Sequence, residues 1–192
     1  MPENYRLDRG ALEVGSLKDK PNDRQYWMSK TPKNASKPSN CCVKSPMATI
    51  RLPRDFKEFL KLLNSKFAEY LIIAGYAVDY YGYARSTGDM DIWIARSPEN
   101  FRVAEALSEF GFPAATPAIF DAPDRMVRMG VPPLRLEILT SISGVEFADC
   151  FARRGCADVD GVPVPIIALD DLKRNKHASG RAKDLADLEE LD

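Results

Sequence analysis

Residues 85–94 read RSTGDMDIWI, and this stretch constrains the fold more than any other. Asp89 and Asp91 alternate with Met90, Ile92 and Ile94, a period that belongs to a β-strand. Residues two apart on a strand share a face. One face therefore carries two carboxylates and Trp93, and the other is apolar. Like charges this close repel each other, and beside a core they are also costly to desolvate. The strand must lay one face in a core. Its acidic start must meet a cation, a basic partner or water.

Alternating elements surround this strand. LPRDFKEFLKLLNSK (52–66) places Phe56, Phe59, Leu60 and Leu63 at helical spacing, with Phe67 continuing it, behind Pro53 and Asp55 as start signals. YLIIAG (70–75) reads as a buried strand, and YAVDYYGYA (76–84) as a short helix directly after it. SPENFRVAEALSEFG (97–111) predicts a helix with Ser97 as N-cap and Gly111 as stop. PAIFD and DRMVRMG predict short strands, and LRLEILTSI (134–142) another. EFADCFAR predicts a short helix, and DVDGVPVPIIA a hairpin with Gly161 at its tip. LDDLKRNKHASG and RAKDLADLEELD predict two helices broken near Gly180. The expected class is α/β (α+β): a mixed sheet flanked by helices, with a helical C-terminal end.

The 192 residues suffice for one domain with a real core, and 45% apolar with 29% charged residues reads as soluble and globular. Net charge is −1, so no overall basic field advertises a nucleic-acid partner. Charge is uneven, however: residues 1–46 hold nine basic and five acidic side chains. That stretch is rich in Lys, Asn, Ser and Pro and lacks periodicity. It is expected to be a disordered tail, or to precede a true start at Met47, leaving 47–192 as the domain. Cys41, Cys42, Cys150 and Cys156 lack zinc-site spacing, and no secretory leader or membrane span is read. The expectation is reduced thiols in a cytoplasmic protein. His177 is the sole histidine, which leaves little material for His-based catalysis or a multi-His metal site.

A lone D-x-D says little, because Asp158-Val-Asp160 matches too and its following Gly161 marks a surface turn. Context separates the copies. Asp89 and Asp91 open an apolar strand, and IIAGYAV, a strand-to-helix turn with Gly75, lies just upstream. Such a turn either holds a phosphate on helix N-terminal amides or simply uses glycine to turn. Glu137 is an acid inside the apolar strand LRLEILT. It is either paired with Arg135 or another base, or a third carboxylate joining Asp89 and Asp91 in space. In the second case the three form a hard-oxygen site suited to Mg²⁺ beside nucleotide phosphates.

Together, GYAVDYYGYARSTGDMDIWI, LRLEILTSISGVEF and KHASGRAKDLADLEEL resemble the DNA polymerase beta-like nucleotidyltransferase superfamily. They are similar in particular to bacterial stand-alone nucleotidyltransferases of the abortive-infection toxin type. The resemblance runs from about Leu52 to Leu191. It implies a nucleotidyltransferase fold and Mg²⁺-dependent transfer from an NTP to a hydroxyl on an RNA end, a protein or a small molecule. Asp89, Asp91 and Glu137 would be catalytic and metal-binding. Gly75 and Tyr76 would lie at the nucleotide, with Arg85 and Thr87 leading into the acidic pair. Two positions depart from the pattern: Ala74 stands where the family usually has glycine, and the third acid is a glutamate.

For the C-terminal Lys176, Arg181, Lys183, Asp184 and Asp187 there are two readings. One is an exposed helix face held by ion pairs. The other, implied by the resemblance, brings Lys176 and Lys183 to the nucleotide phosphates. The competing view of the whole chain is a non-catalytic nucleotidyltransferase-fold protein that binds nucleotide or a partner, as half of a toxin–antitoxin pair.

Overall fold

The computed structural model describes residues 6–17, 51–83 and 87–191. Its strands are β1 (Leu12–Ser16), β2 (Tyr70–Ile72), β3 (Asp89–Ile94), β4 (Arg125–Met129), β5 (Arg135–Leu139), β6 (Gly155–Val159) and β7 (Val162–Ile166). Its helices are α1 (Arg54–Ser65), α2 (Ala74–Tyr80), α3 (Arg102–Phe110), α4 (Phe147–Ala152), α5 (Leu169–Ser179) and α6 (Ala182–Leu191). The described strands form one mixed sheet in the order β1-β4-β5-β3-β2-β7-β6, which puts the acidic strand at its centre. β3 runs parallel to β5 and antiparallel to β2, so the sheet is mixed at its middle. The expected α+β architecture with a helical C-terminal end is what the chain adopts.

Register explains how β3 tolerates its charges. On one face, Ile72, Ile92, Ile138, Val127 and Val14 form a cross-strand apolar row. On the other, the row beginning at Asp91 continues through Glu137, Arg128 and Glu13. A slip of one residue would exchange these faces and drive the charges into the core, so the register is strongly specified. Met90, Ile92 and Ile94 join one buried cluster with Phe56, Phe59 and Leu63 of α1 and Val103, Leu107 and Phe110 of α3. The Phe59 and Phe110 rings lie 5.0 Å apart and join the two helices. Each such fully buried side chain contributes about 1.5–3 kcal/mol through removal of apolar surface from water. Trp93, on the acidic face, meets Phe147 edge-on at 5.1 Å, so α4 covers that end of the strand.

Three local expectations change. PAIFD forms a 3-10 turn (Pro117–Phe120) instead of a strand, since Pro117 at its start favours a helical turn. Ser97 precedes a 3-10 turn (Pro98–Phe101) that leads into α3, and its side chain makes no cap. Phe67 leaves the helical stripe altogether: α1 ends at Ser65, and Phe67 sits at φ 54° with 78% exposure. The hairpin at Asp160-Gly161 is as expected, with Asp158 accepting from the Gly161 N–H. The second D-x-D is thus a turn.

The larger correction concerns the N-terminus. Residues 6–17 were expected in a tail and instead join the fold. β1 pairs antiparallel with β4, and Leu7 is buried in the core. Asp55, expected to start α1, is buried and accepts from the Leu7 N–H at 2.8 Å, Arg9 at 3.0 Å and Arg6 at 3.1 Å. Burial alone would raise its carboxyl; the Leu7 amide and the two guanidiniums outweigh that and hold it below the ordinary aspartate value. Arg9 also donates to the Phe110 carbonyl and lies over that ring, tying α1 to α3. A five-residue strand with two apolar positions carries too little local signal to announce itself. Residues 18–46 lie outside the described residues. Among the described residues, no helix is long and apolar enough to cross a membrane.

Candidate active site

The parallel register of β3 and β5 sets Asp91 directly beside Glu137 and Asp89 beside Arg135. All four side chains point from the same face. Asp89, Asp91 and Glu137 therefore share one face of the sheet, and Glu137 also has the basic partner that was the other reading of it. Glu137 and Asp91 are buried, and Asp89, at the opening of the strand, keeps 20% of its side chain exposed.

Sequence reading left the cation of this face open, and the structure supplies two. Arg135 forks onto Asp89, with Nε 3.1 Å from Oδ1 and Nη2 2.7 Å from Oδ2. The same Nη2 lies 3.6 Å from Glu137 Oε1. Arg128 of β4 donates to Glu137 Oε1 at 3.0 Å and to Glu13 of β1 at 3.0 Å. Both arginines are buried. Paired guanidiniums are what a cluster of buried carboxylates requires. Arg128 and Glu13 were missed. The alternation in DRMVRMG places Met126 and Arg128 on one face, but only the sheet order reveals which face that is.

This arrangement decides how the expected magnesium stands. The residue types suit a hard divalent ion, yet their packing does not. Asp89 is already forked to Arg135, and Glu137 is held by Arg128. Among the described residues no three acidic, histidine or cysteine side chains group closely enough to hold a metal.

The turn before α2 abuts the acidic strand. The Ile73 amide donates to the Asp91 carbonyl at 3.2 Å. Ala74 adopts φ 51°, a left-handed conformation that is uncommon for residues other than glycine. The departure at Ala74 thus keeps the backbone shape that glycine would take freely. At Gly75 the need for glycine is steric: an added Cβ would meet Thr87 Oγ1 at 3.1 Å. Thr87 in turn donates to the Asp89 carbonyl at 3.1 Å and fixes the entry to β3. Tyr76 is buried against Phe56, their rings edge to face at 6.3 Å. Burial pushes its phenol well above the ordinary tyrosine range, and the Asp79 and Asp89 carboxylates add to this. Arg85 lies outside the described residues.

The C-terminal basic residues divide. Lys183 is exposed. Lys176 is 2% exposed, and its ammonium lies 2.6 Å from Asp187 and 3.1 Å from Asp184. Ser179 and Arg181 also donate to Asp184. Burial would raise the Asp184 carboxyl, but Arg181, Ser179 and Lys176 hold it below the ordinary value. The exposed helix face of the sequence reading is thus, at Lys176, a buried staple between α5 and α6. His177 is exposed.

No family model matches this chain, and no curated protein matches it. Among solved structures, it is similar to a candidate nucleotidyltransferase from Thermotoga maritima, at 12% identity and a TM-score of 0.47, over 71% of this chain and 89% of that one. It is also similar to an antigenic nucleotidyltransferase-like protein from Paracoccidioides brasiliensis, at 16% identity and a TM-score of 0.45, over 71% of this chain and 74% of that one. Scores below 0.5 decide nothing about the activity of this chain.

Proposed function

We propose that this protein has a nucleotidyltransferase fold and transfers a nucleotidyl group from an NTP to a hydroxyl acceptor on RNA, a protein or a small molecule. One observation carries the reading: the register that sets Asp91 against Glu137, with Asp89 one step toward the open end of β3. Carboxylates so placed can orient an acceptor hydroxyl and take up its proton as the oxygen attacks the α-phosphorus and the bond from that phosphorus to the bridging oxygen breaks, releasing pyrophosphate. Gly75, Tyr76 and Thr87, around the strand entry, are the proposed nucleotide contacts, together with Arg85, which precedes Thr87 in the sequence, and exposed Lys183 as a further phosphate ligand. Lys176 is left out of this set, because its ammonium is committed to Asp184 and Asp187. Magnesium belongs to the reading only if Arg135 gives way.

The test is incubation of the full chain with each labelled NTP, Mg²⁺, and total RNA or total protein. Label transfer with pyrophosphate release is expected from wild type and not from Asp89→Asn with Asp91→Asn. Equal transfer by both would put the chemistry elsewhere. A second reading, a non-catalytic protein that binds nucleotide or a toxin–antitoxin partner, is favoured by the arginines that already neutralise the acids. It predicts nucleotide binding without pyrophosphate release.

A further inference from the structure

The Asp89 face contains a cation of its own where an added cation would have to stand. Arg135 Nη2 touches Asp89 Oδ2 at 2.7 Å and faces Glu137 Oε1 at 3.6 Å, so one nitrogen spans the two acids that a bridging ion would share. Arg128 is placed differently. It shares Glu137 but turns its other nitrogen across the sheet to Glu13, away from Asp89. An ion on Asp89 could leave Arg128 in its pairs, but it could not sit against the Arg135 fork without facing a buried like charge. Asp89 is also the most exposed of the three acids, so exchange has a path from solvent.

We propose that Arg135 occupies the divalent-cation position of this face, so that its pair with Asp89 and a bound cation exclude each other. Arg135 thereby keeps a divalent cation off Asp89. The inference rests on the proposed reading of this face as the reaction site. It assigns Arg135 a positioning role, acting through Asp89, with no contact to the reacting atoms.

The experiment is a titration of the full chain with Mn²⁺ alone, with free ion followed by electron paramagnetic resonance. Arg135→Gln is expected to bind Mn²⁺ at least tenfold more tightly than wild type. Its thermal midpoint is expected to rise more on adding Mn²⁺. Arg135→Gln with Asp89→Asn is expected to lose the gain, which separates this site from adventitious binding by other acids. Arg135→Lys, which keeps the charge but not the fork, serves if the glutamine variant does not fold, and is expected to bind with intermediate affinity. A folded Arg135 variant with unchanged or weaker Mn²⁺ affinity overturns the inference, as does a gain that survives loss of Asp89. The wild-type transfer assay keeps the two claims apart. Transfer by wild type without tighter binding in the variants refutes only the role of Arg135. No transfer together with no ion binding in any variant refutes the site reading as well.

Discussion

Two buried ion clusters in this molecule look alike in composition and differ in construction. The Lys176 cluster closes within eleven residues: one ammonium stands between Asp184 and Asp187, with Ser179 and Arg181 completing the shell. The Asp89 cluster is assembled from four strands. Its acids outnumber its arginines, and one acid stays partly in water. A buried ammonium enclosed by carboxylates has nothing left to exchange and can only hold helices together. An acid-rich face with an open end can trade one cation for another. The difference separates a staple from a candidate site, although residue types alone would class them together.

The comparison is broken most directly at Lys176. Lys176→Met removes the ammonium and leaves two carboxylates buried without it. This should cost about 3–5 kcal/mol of stability, the usual penalty for orphaning a buried charge. Urea unfolding at neutral pH measures it, and a loss under about 1 kcal/mol would mean that water reaches the cluster and the staple reading fails. Asp89→Asn should cost less, about 1–3 kcal/mol, because the carboxylate is partly exposed and Arg135 retains Glu137 nearby. Its effect on transfer should instead be complete, so stability and activity should rank these two variants in opposite orders.

Acid sharpens the contrast. The Asp184 carboxyl is held below its ordinary value, so its contribution is full above the unfolded value of about 3.9 and is lost as pH falls through the lower folded value. Urea midpoints of wild type and Asp184→Asn should therefore differ at pH 7 and converge as pH falls below about 4. A gap that stays constant would show that Asp184 does not titrate with folding. The smallest effect is expected at the site entrance. Gly75→Ala places a methyl against Thr87 and should cost about 1 kcal/mol, near the lower end of overpacking penalties. Gly75→Ala in a Thr87→Ala background, which removes the Oγ1 and Cγ2 contacts, should recover most of it, and calorimetric melting of the pair reads the coupling.

How much was legible follows from the range of each interaction. The helical stripe of Phe56, Phe59, Leu60 and Leu63 and the stop at Gly111 are local patterns, and both stand in the fold. The alternation around Asp89 and Asp91 set the strand and its faces, because side-chain direction in a strand depends only on spacing. Phe67 shows the limit of the same logic: its spacing continued the stripe, but the helix had already ended.

Other features depended on partners far away in the chain. LEVGS became β1 because β4 offered an edge and Asp55, some forty residues on, gathered Arg6, Leu7 and Arg9. The sequence by itself determined which strand carried acids and which face they shared. Only the tertiary structure decided that Arg135 and Arg128 stand among those acids and that Lys176 lies buried between Asp184 and Asp187. The reason is physical: spacing orients a side chain relative to its own backbone, whereas the charge it meets depends on which distant segment packs beside it.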